Sequence, residues 1–280
     1  MKITSRKNPL IKRYRAFKDK YPSRQEEYFC LEGTHLLDEF LKLGEQPENI
    51  IVTEDWFNKN NSLIKNVNFN LINIVSNEVL TSALSTKNPD GVAALVRNSS
   101  IPKFNFDESD DFVLVLDRVQ DPGNLGNILR TALAGDVDKI ILGGGAHPLG
   151  QKTMRASCGA LFHLPFKRIA GKDSEVVNHL LEILDLLSKK GFQIISTTSK
   201  KLLDGKEAKP YWEIDWSKRT VLILGNEGSG IHKKIKEAFN ETITIPHNEL
   251  VESLNVACVA VPLILERKRV TFNLGSKKQK

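Results

Sequence analysis

The feature that most constrains this chain is a run of strands, several of them apolar at nearly every position. From Phe112 onward the segments FVLVLD (Phe112–Asp117), KIILGG (Lys139–Gly144), FQIISTT (Phe192–Thr198), TVLILG (Thr220–Gly225) and TITIP (Thr242–Pro246) are rich in Val, Ile and Leu. A strand with one face in water alternates apolar and polar residues, whereas a strand apolar at nearly every position is covered on both faces. Between these strands the pattern predicts helices at Gly126–Gly135, around Gln151–Leu161, and at Ser174–Lys190, Ile231–Phe239 and Ser253–Arg269. Strands alternating with helices indicate a parallel sheet with helices on both sides. In such sheets ligands bind where loops leave the carboxyl ends of the strands.

The first hundred residues follow a different pattern. Helices are predicted at Asn8–Lys18, Thr34–Leu43 and Asn77–Leu84, and strands at Asn49–Thr53, Leu71–Val75 and Val92–Val96. The stretch NSSIPKFNFDESDD (Asn98–Asp111) is polar, contains Pro and has no clear period, so it reads as a linker. The expected organisation is a small N-terminal α/β domain over residues 1–98, a linker over 99–111 and a larger parallel-sheet domain over 112–280. A length of 280 residues accommodates both.

Composition excludes several classes. Hydrophobic residues make up 40% and charged residues 26%, which are globular values, not those of a disordered or collagen-like chain. The longest apolar run, Val256–Leu265, contains Pro262 and is half the length of a membrane-spanning helix, which needs about 20 residues. The basic start MKITSRKNPLIKRYR has no apolar stretch behind it and is not a secretory signal, so a cytoplasmic protein with no membrane partner is expected. Cys30, Cys158 and Cys258 form neither a disulfide framework nor a metal knuckle, and no His-x-x-x-His pair supports zinc. No metal is expected.

The net charge of +6 is unevenly placed. Eight basic residues lie between Lys2 and Lys20 against one acid, Asp19, and Arg267, Lys268, Arg269, Lys277, Lys278 and Lys280 crowd the other end. Such clusters suit a polyphosphate backbone, although basic ends are also common as solvated faces. Lys152 and Arg155, on the helix around Gln151–Leu161, are further candidates for phosphate contacts.

Three loops at strand ends concentrate Gly, Asn and charge: DRVQDPGNLGNILR (Asp117–Arg130), GNEGSG (Gly225–Gly230) and IPHNELVESLN (Ile245–Asn255). Each alone is explicable as turn and cap chemistry, but three in one domain point to a site. Familiar motifs fail in detail. Gly145–Thr153 lacks the Gly-Lys step of a phosphate loop because Gln151 intervenes. Glu227 stands where a nucleophile elbow around Ser229 would need Gly, and no Gly-x-Gly-x-x-Gly follows a strand.

With the residues LILGNEGSGI and IPHNELVESLNVA after DRVQDPGNLGNILRTA, the chain resembles the SpoU, or TrmH, family of RNA ribose 2′-O-methyltransferases in the SPOUT superfamily. SRKNPLIK, FCLEGTHLLDEFL and NPDGVAAL resemble that family's small N-terminal RNA-binding domain. The resemblance implies a SPOUT domain whose last strand and helix form a trefoil knot, which composition cannot show because chains avoid knots as a rule. It implies S-adenosylmethionine as cofactor, RNA, with ribosomal RNA expected, as partner and substrate, and a homodimer that uses the last helix.

Residue by residue, it implies catalytic roles for Arg130, Asn124, Glu227, Ser253 and Asn255, and cofactor contacts from Thr198, Leu224, Gly225, Ile245, His247 and Leu254. Arg130 would orient the hydroxyl or the adjacent phosphate and is a candidate to take the proton, although an arginine side chain, with a pKa of about 12.5 to 13.8, is a poor base. From the residues alone, Ser253 reads as the cap of the last helix and Asn255 as a first-turn residue. Helix N-termini suit anions, so RNA phosphate is expected near Ser253.

Two departures from the family pattern stand out. His247 and Glu249 occupy positions where the family has Met and Gly, which implies a loss of positive-φ freedom and an added carboxylate near the cofactor. Pro262 is expected to kink the last helix. An inactive RNA-binding relative of the same fold and a transfer-RNA methyltransferase remain open alternatives at this point.

Overall fold

A computed structural model describes residues 2–18, 27–199, 208–239 and 241–278, with side chains to residue 273. The chain divides into two compact units, Met1–Pro102 with His147–His163, and Lys103–Ala146 with Leu164–Lys280.

The first unit contains α1 (Pro9–Arg15), β1 (Tyr28–Glu32), α2 (Thr34–Leu41), β2 (Asn49–Thr53), α3 (Glu54–Asn60), β3 (Ile72–Val75), α4 (Asn77–Ala83) and β4 (Val92–Arg97). Its sheet has the order β1-β4-β2-β3, with β2 and β3 parallel and both β4 pairings antiparallel. Helix starts are set locally by side-chain oxygens that accept otherwise unpaired backbone N–H groups: Asn8 for α1, Thr53 for α3 and Ser76 for α4. Ile11, Tyr14, Val79 and Leu80 then close over Cys30, Ile51 and Leu95 of the sheet.

In the second unit come β5 (Phe112–Asp117), α5 (Pro122–Ala134), β6 (Lys139–Gly143), then, beyond α6 (Gln151–Ser157), β7 (Phe166–Ile169), α7 (Asp173–Lys189), β8 (Gln193–Thr197), β9 (Lys209–Pro210), β10 (Thr220–Leu224), α8 (Lys233–Ala238), β11 (Thr242–Thr244) and α9 (Val256–Lys278). The seven strands run in the order β7-β6-β5-β10-β8-β11-β9, every pairing parallel. All six residues of β5 and all five of β10 are buried, as the apolar runs Phe112–Leu116 and Val221–Leu224 require, and the burial extends to the polar Asp117 and Thr220 at their ends. On one face Val176, Leu180, Leu184 and Leu187 of α7 pack against Val113, Val115, Ile141, Val221 and Ile223. Elsewhere α5 and α9 meet so closely that a Cβ on Gly135 would stand 2.1 Å from Ile264.

Several expectations are corrected. α5 begins at Pro122, not Gly126, because the Asp121 carboxylate accepts the Asn124 N–H at 2.8 Å and Pro122 has no N–H to leave unpaired. α9 begins after Asn255, whose Oδ1 accepts the N–H groups of Ala257 at 2.8 Å and Cys258 at 3.4 Å, so Asn255 and not Ser253 caps it. The helix continues through Pro262 to Lys278. Strands β1, β7 and β9 and helix α3 were not predicted from the sequence.

The segment read as a linker is anchored: Phe104 and Phe106 pack on the second unit's core, and buried Asp110 pairs with Lys139 at 2.8 Å. Residues 147–163, read as part of the C-terminal domain, cluster with the first unit. There Gln151 donates to the Cys30 carbonyl at 2.8 Å and Phe162 stacks edge-on against Phe40. No helix among the described residues is long and apolar enough to cross a membrane, and no cluster of side chains there has metal-binding geometry.

Candidate active site

At the carboxyl ends of β8, β10 and β11 lies a cleft of about 280 Å³. Its polar wall includes Thr198, Asn226, Glu227, His247 and Glu252, and its apolar side includes Ile245, Leu254, Val259 and Leu263. Of the six expected cofactor residues, Thr198, Gly225, Ile245, His247 and Leu254 line it. Leu224 does not: its side chain is fully buried in β10, and only its chain end leads into the cleft at Gly225. Gly225 is required by space. A Cβ there would lie 2.4 Å from the Gly230 carbonyl carbon and the Ile231 nitrogen, so the loop 225–230 closes only around glycine.

Three of the expected catalytic residues form one hydrogen-bonded chain. The Glu227 carboxylate accepts from the backbone N–H groups of Gln120 and Asp121, both at 3.0 Å, and from Asn124 Nδ2 at 3.1 Å. Asn124 Oδ1 in turn accepts from Asn255 Nδ2 at 3.0 Å. Partial burial alone would raise the Glu227 carboxyl, but its N–H donors outweigh burial and hold it below the usual glutamate value. With its oxygens committed in this way, Glu227 is an ionised organiser of the site. The network joins all three loops read from the sequence.

Two organisers were missed. Asn226 Oδ1 accepts from Gly228 and Ser229 N–H, each at 2.9 Å, while its Nδ2 donates to the Arg118 carbonyl at 2.9 Å. This Asx turn shapes the second loop and ties it to the first; an Asn directly after a strand and two residues before Gly was the available signal. Asp117, fully buried at the end of β5, accepts two bonds from the Arg118 guanidinium, at 2.8 and 3.0 Å, and the His232 N–H at 2.7 Å. A lone Asp ending an all-apolar strand was its signature.

The remaining residues separate clearly. Arg130 is exposed on α5, six residues beyond Asn124, about 9 Å along the helix. Ser253 is exposed and lines the cleft. Glu249 is exposed, is not in the left-handed region, and does not line the cleft; the carboxylate that does, besides Glu227, is Glu252. The His247 side chain folds back, its Nδ1–H donating to the Ile245 carbonyl at 2.7 Å.

The basic candidates need revision too. Arg155 is half-buried and its charge is already engaged: its guanidinium donates to Ser85 Oγ at 2.9 Å and to buried Glu32 at 3.3 Å. Arg267 is buried and donates to Asp111 at 2.7 Å, Arg269 pairs with Glu266, and Lys268 pairs with Asp136. Lys152 is exposed as expected, while Lys20 and Lys280 lie outside the described residues.

Comparison with known proteins settles the family. Residues 111–265 match the model of the SpoU rRNA Methylase family. The chain belongs to the SpoU rRNA methylase family. Residues 8–94 match the MRM3-like substrate binding domain. An uncharacterized tRNA/rRNA methyltransferase of Synechocystis sp. is 34% identical over 95% of this chain and 93% of its own length. The 23S rRNA (guanosine(2553)-2′-O)-methyltransferase RlmP of Bacillus subtilis is 31% identical over 94% and 97%. A solved structure of an AdoMet-bound rRNA methyltransferase from Sinorhizobium meliloti superposes with a TM-score of 0.77 at 27% identity, covering 96% of this chain and 97% of that one.

The seven-stranded parallel sheet with a small N-terminal unit is thus the SPOUT arrangement, and this SpoU-family methyltransferase uses S-adenosylmethionine. The cleft suits that molecule chemically. Ile245, Leu254, Val259 and Leu263 offer an apolar surface for a purine, and Thr198 and the strand-end backbone offer hydrogen bonds. Glu252 on the cleft wall would complement a cationic group of the cofactor.

Proposed function

We propose that this chain methylates the 2′-hydroxyl of a ribose in ribosomal RNA, acting in the cytoplasm as a homodimer, with its N-terminal unit holding the RNA. The observation that carries the reading is the Glu227–Asn124–Asn255 chain, which fixes three loops around a cleft suited to the methyl donor. The kinship with RlmP of Bacillus subtilis, a ribosomal RNA 2′-O-methyltransferase by name, favours ribosomal RNA.

S-adenosylmethionine supplies an electrophilic methyl group on a sulfonium. The protein must hold the hydroxyl in line with it, because displacement at carbon is governed by near-attack geometry. Asn124 and Asn255 fix the rim where the ribose is presented, with Ser253 beside them on the cleft wall and available to a phosphate. Arg130, exposed on α5, offers a guanidinium suited to clamping phosphate and orienting the hydroxyl. Its persistent charge favours orientation over proton removal.

The homodimer reading rests on apolar side chains left in water along α9: Val261 is 42%, Leu265 41% and Phe272 67% exposed. Leu133, at the end of α5, which packs on α9, adds a fourth at 37%.

The test is a map of 2′-O-methyl positions in total RNA from cells with and without the gene. A ribosomal RNA position that loses its methyl group without the gene is expected, and it should return with wild-type protein but not with Arg130→Ala. A loss confined to transfer RNA, or no loss, overturns the assignment.

A further inference from the structure

Trp212 is 56% exposed, whereas the chain's other two tryptophans are buried, Trp56 at 3% and Trp216 at 1%. A single exposed apolar residue is ordinary on a protein surface. This one differs in its setting. The Tyr211 ring stands edge-on to the Trp212 indole, with centroids 5.1 Å apart and planes at 72°. The turn that carries both is pinned from below, because the buried Trp216 Nε1–H donates to the Tyr211 carbonyl at 2.8 Å.

The strand before this turn fixes its position in the sheet. β9 pairs in parallel with β11, Lys209 opposite Ile243 and Pro210 opposite Thr244. The chain therefore leaves β9 at Tyr211 on the same carboxyl-end edge of the sheet at which β11 passes into Ile245 and His247 of the cleft wall. Neither Tyr211 nor Trp212 lines the cleft, so the aromatic pair is separate from the donor site. Lys209, two residues before Tyr211 in the chain, has its side chain 63% exposed and shares its charge with Glu241 only across an exposed ion pair of 3.8 Å, the kind of pair that contributes little and can exchange partners.

We infer that the Tyr211–Trp212 pair is a stacking platform for an unpaired base of the substrate RNA, with Lys209 serving the adjoining phosphate. The inference rests on the RNA methyltransferase reading above. Sequence-specific RNA recognition mostly targets single strands, loops and bulges, whose splayed bases are held by stacking on aromatic side chains. A pre-ordered indole does this at low entropic cost and with little sequence preference.

The position of Trp212 provides its own probe, since it is the accessible tryptophan. A single-stranded adenosine oligonucleotide should quench its fluorescence and shield it from acrylamide, while a fully paired duplex of equal length should do neither. Removing one base stack costs about 1–3 kcal/mol, so Trp212→Ala should weaken oligonucleotide binding roughly 5- to 150-fold, and Trp212→Phe much less. Calorimetric binding of S-adenosylhomocysteine should be the same for Trp212→Ala and wild type, which verifies that the variant is folded.

An oligonucleotide that leaves Trp212 unquenched, equal binding by Trp212→Ala, or failure of wild type to bind it at all overturns the platform. Transfer of labelled methyl to ribosomal RNA by wild type, measured alongside, separates the two readings: if it persists, only the platform fails, and if it is absent, the reading beneath it fails as well.

Discussion

Asn255 Nδ2 donates to Asn124 Oδ1 at 3.0 Å across 131 residues of sequence, and the same Asn255 side chain caps α9. One amide therefore does two separable jobs: its oxygen starts a helix and its nitrogen ties the third loop to the first.

The two jobs predict different variants. Asn255→Ala loses both and should destabilise the protein by about 1 kcal/mol, the usual value of an N-cap, while methyl transfer falls steeply. Asn255→Asp keeps the capping oxygen but offers no N–H to Asn124, so urea denaturation should show near-native stability with activity still lost. Equal activity of Asn255→Asp and wild type would show that the bond to Asn124 is dispensable.

Glu227 predicts a pH signature. Its carboxyl titrates below the usual value in the folded protein, so its contribution to stability is complete above the unfolded value, about 4.3, and is lost as pH falls through the lower folded value. Glu227→Gln should be less stable than wild type at pH 7, and the gap should narrow only in the acid range below pH 4. Denaturant titrations of both proteins at a series of pH values test this; a gap that closes near neutrality contradicts it.

At Gly225 the expectation is steric. A methyl group would meet Gly230 and Ile231 backbone at 2.4 Å, and backbone cannot yield as a flexible side chain does. Gly225→Ala should reduce S-adenosylhomocysteine affinity by at least tenfold in calorimetry. Wild-type affinity would mean that the loop 225–230 has room that its geometry does not show.

For the homodimer, Val261→Glu with Leu265→Glu places two carboxylates on the exposed stripe of α9 without touching its buried face. Sedimentation should show a dimer for wild type at micromolar concentration and a monomer for the double variant. A wild-type monomer would remove the assembly from the proposal.

What the sequence disclosed follows from how strongly each element is constrained. β5 and β10 were legible because strands buried on both faces must be apolar throughout. β7, FKRI, was not: at the sheet margin a strand tolerates Lys167 and Arg168, so the signal vanishes. α3 escaped because EDWFNKN has little helical period and is held by the Thr53 cap and the burial of Trp56.

At the site, motif positions singled out Asn124, Glu227 and Asn255, which the structure brings into one hydrogen-bonded chain, but spacing alone could not tell that Glu227 would spend its charge on backbone donors. Nor could it separate Arg155, committed to a buried carboxylate, from Lys152, left in water three residues earlier. Partners distant in sequence decide such questions. Glu252 was overlooked for the same reason, since only the path of the third loop selects it over Glu249.

The assignment of residues 147–163 to the first unit means that the chain passes between the two units at three places, after residues 102, 146 and 163. A truncation at residue 103 would consequently yield no self-sufficient halves. The N-terminal fragment would keep Glu32 buried without the Arg155 guanidinium, and the C-terminal fragment would carry α6 with its Gln151 amide stripped of the Cys30 carbonyl. Dissecting RNA capture from methyl transfer therefore calls for point substitutions, or for a grafted loop in place of residues 147–163, and not for scissors.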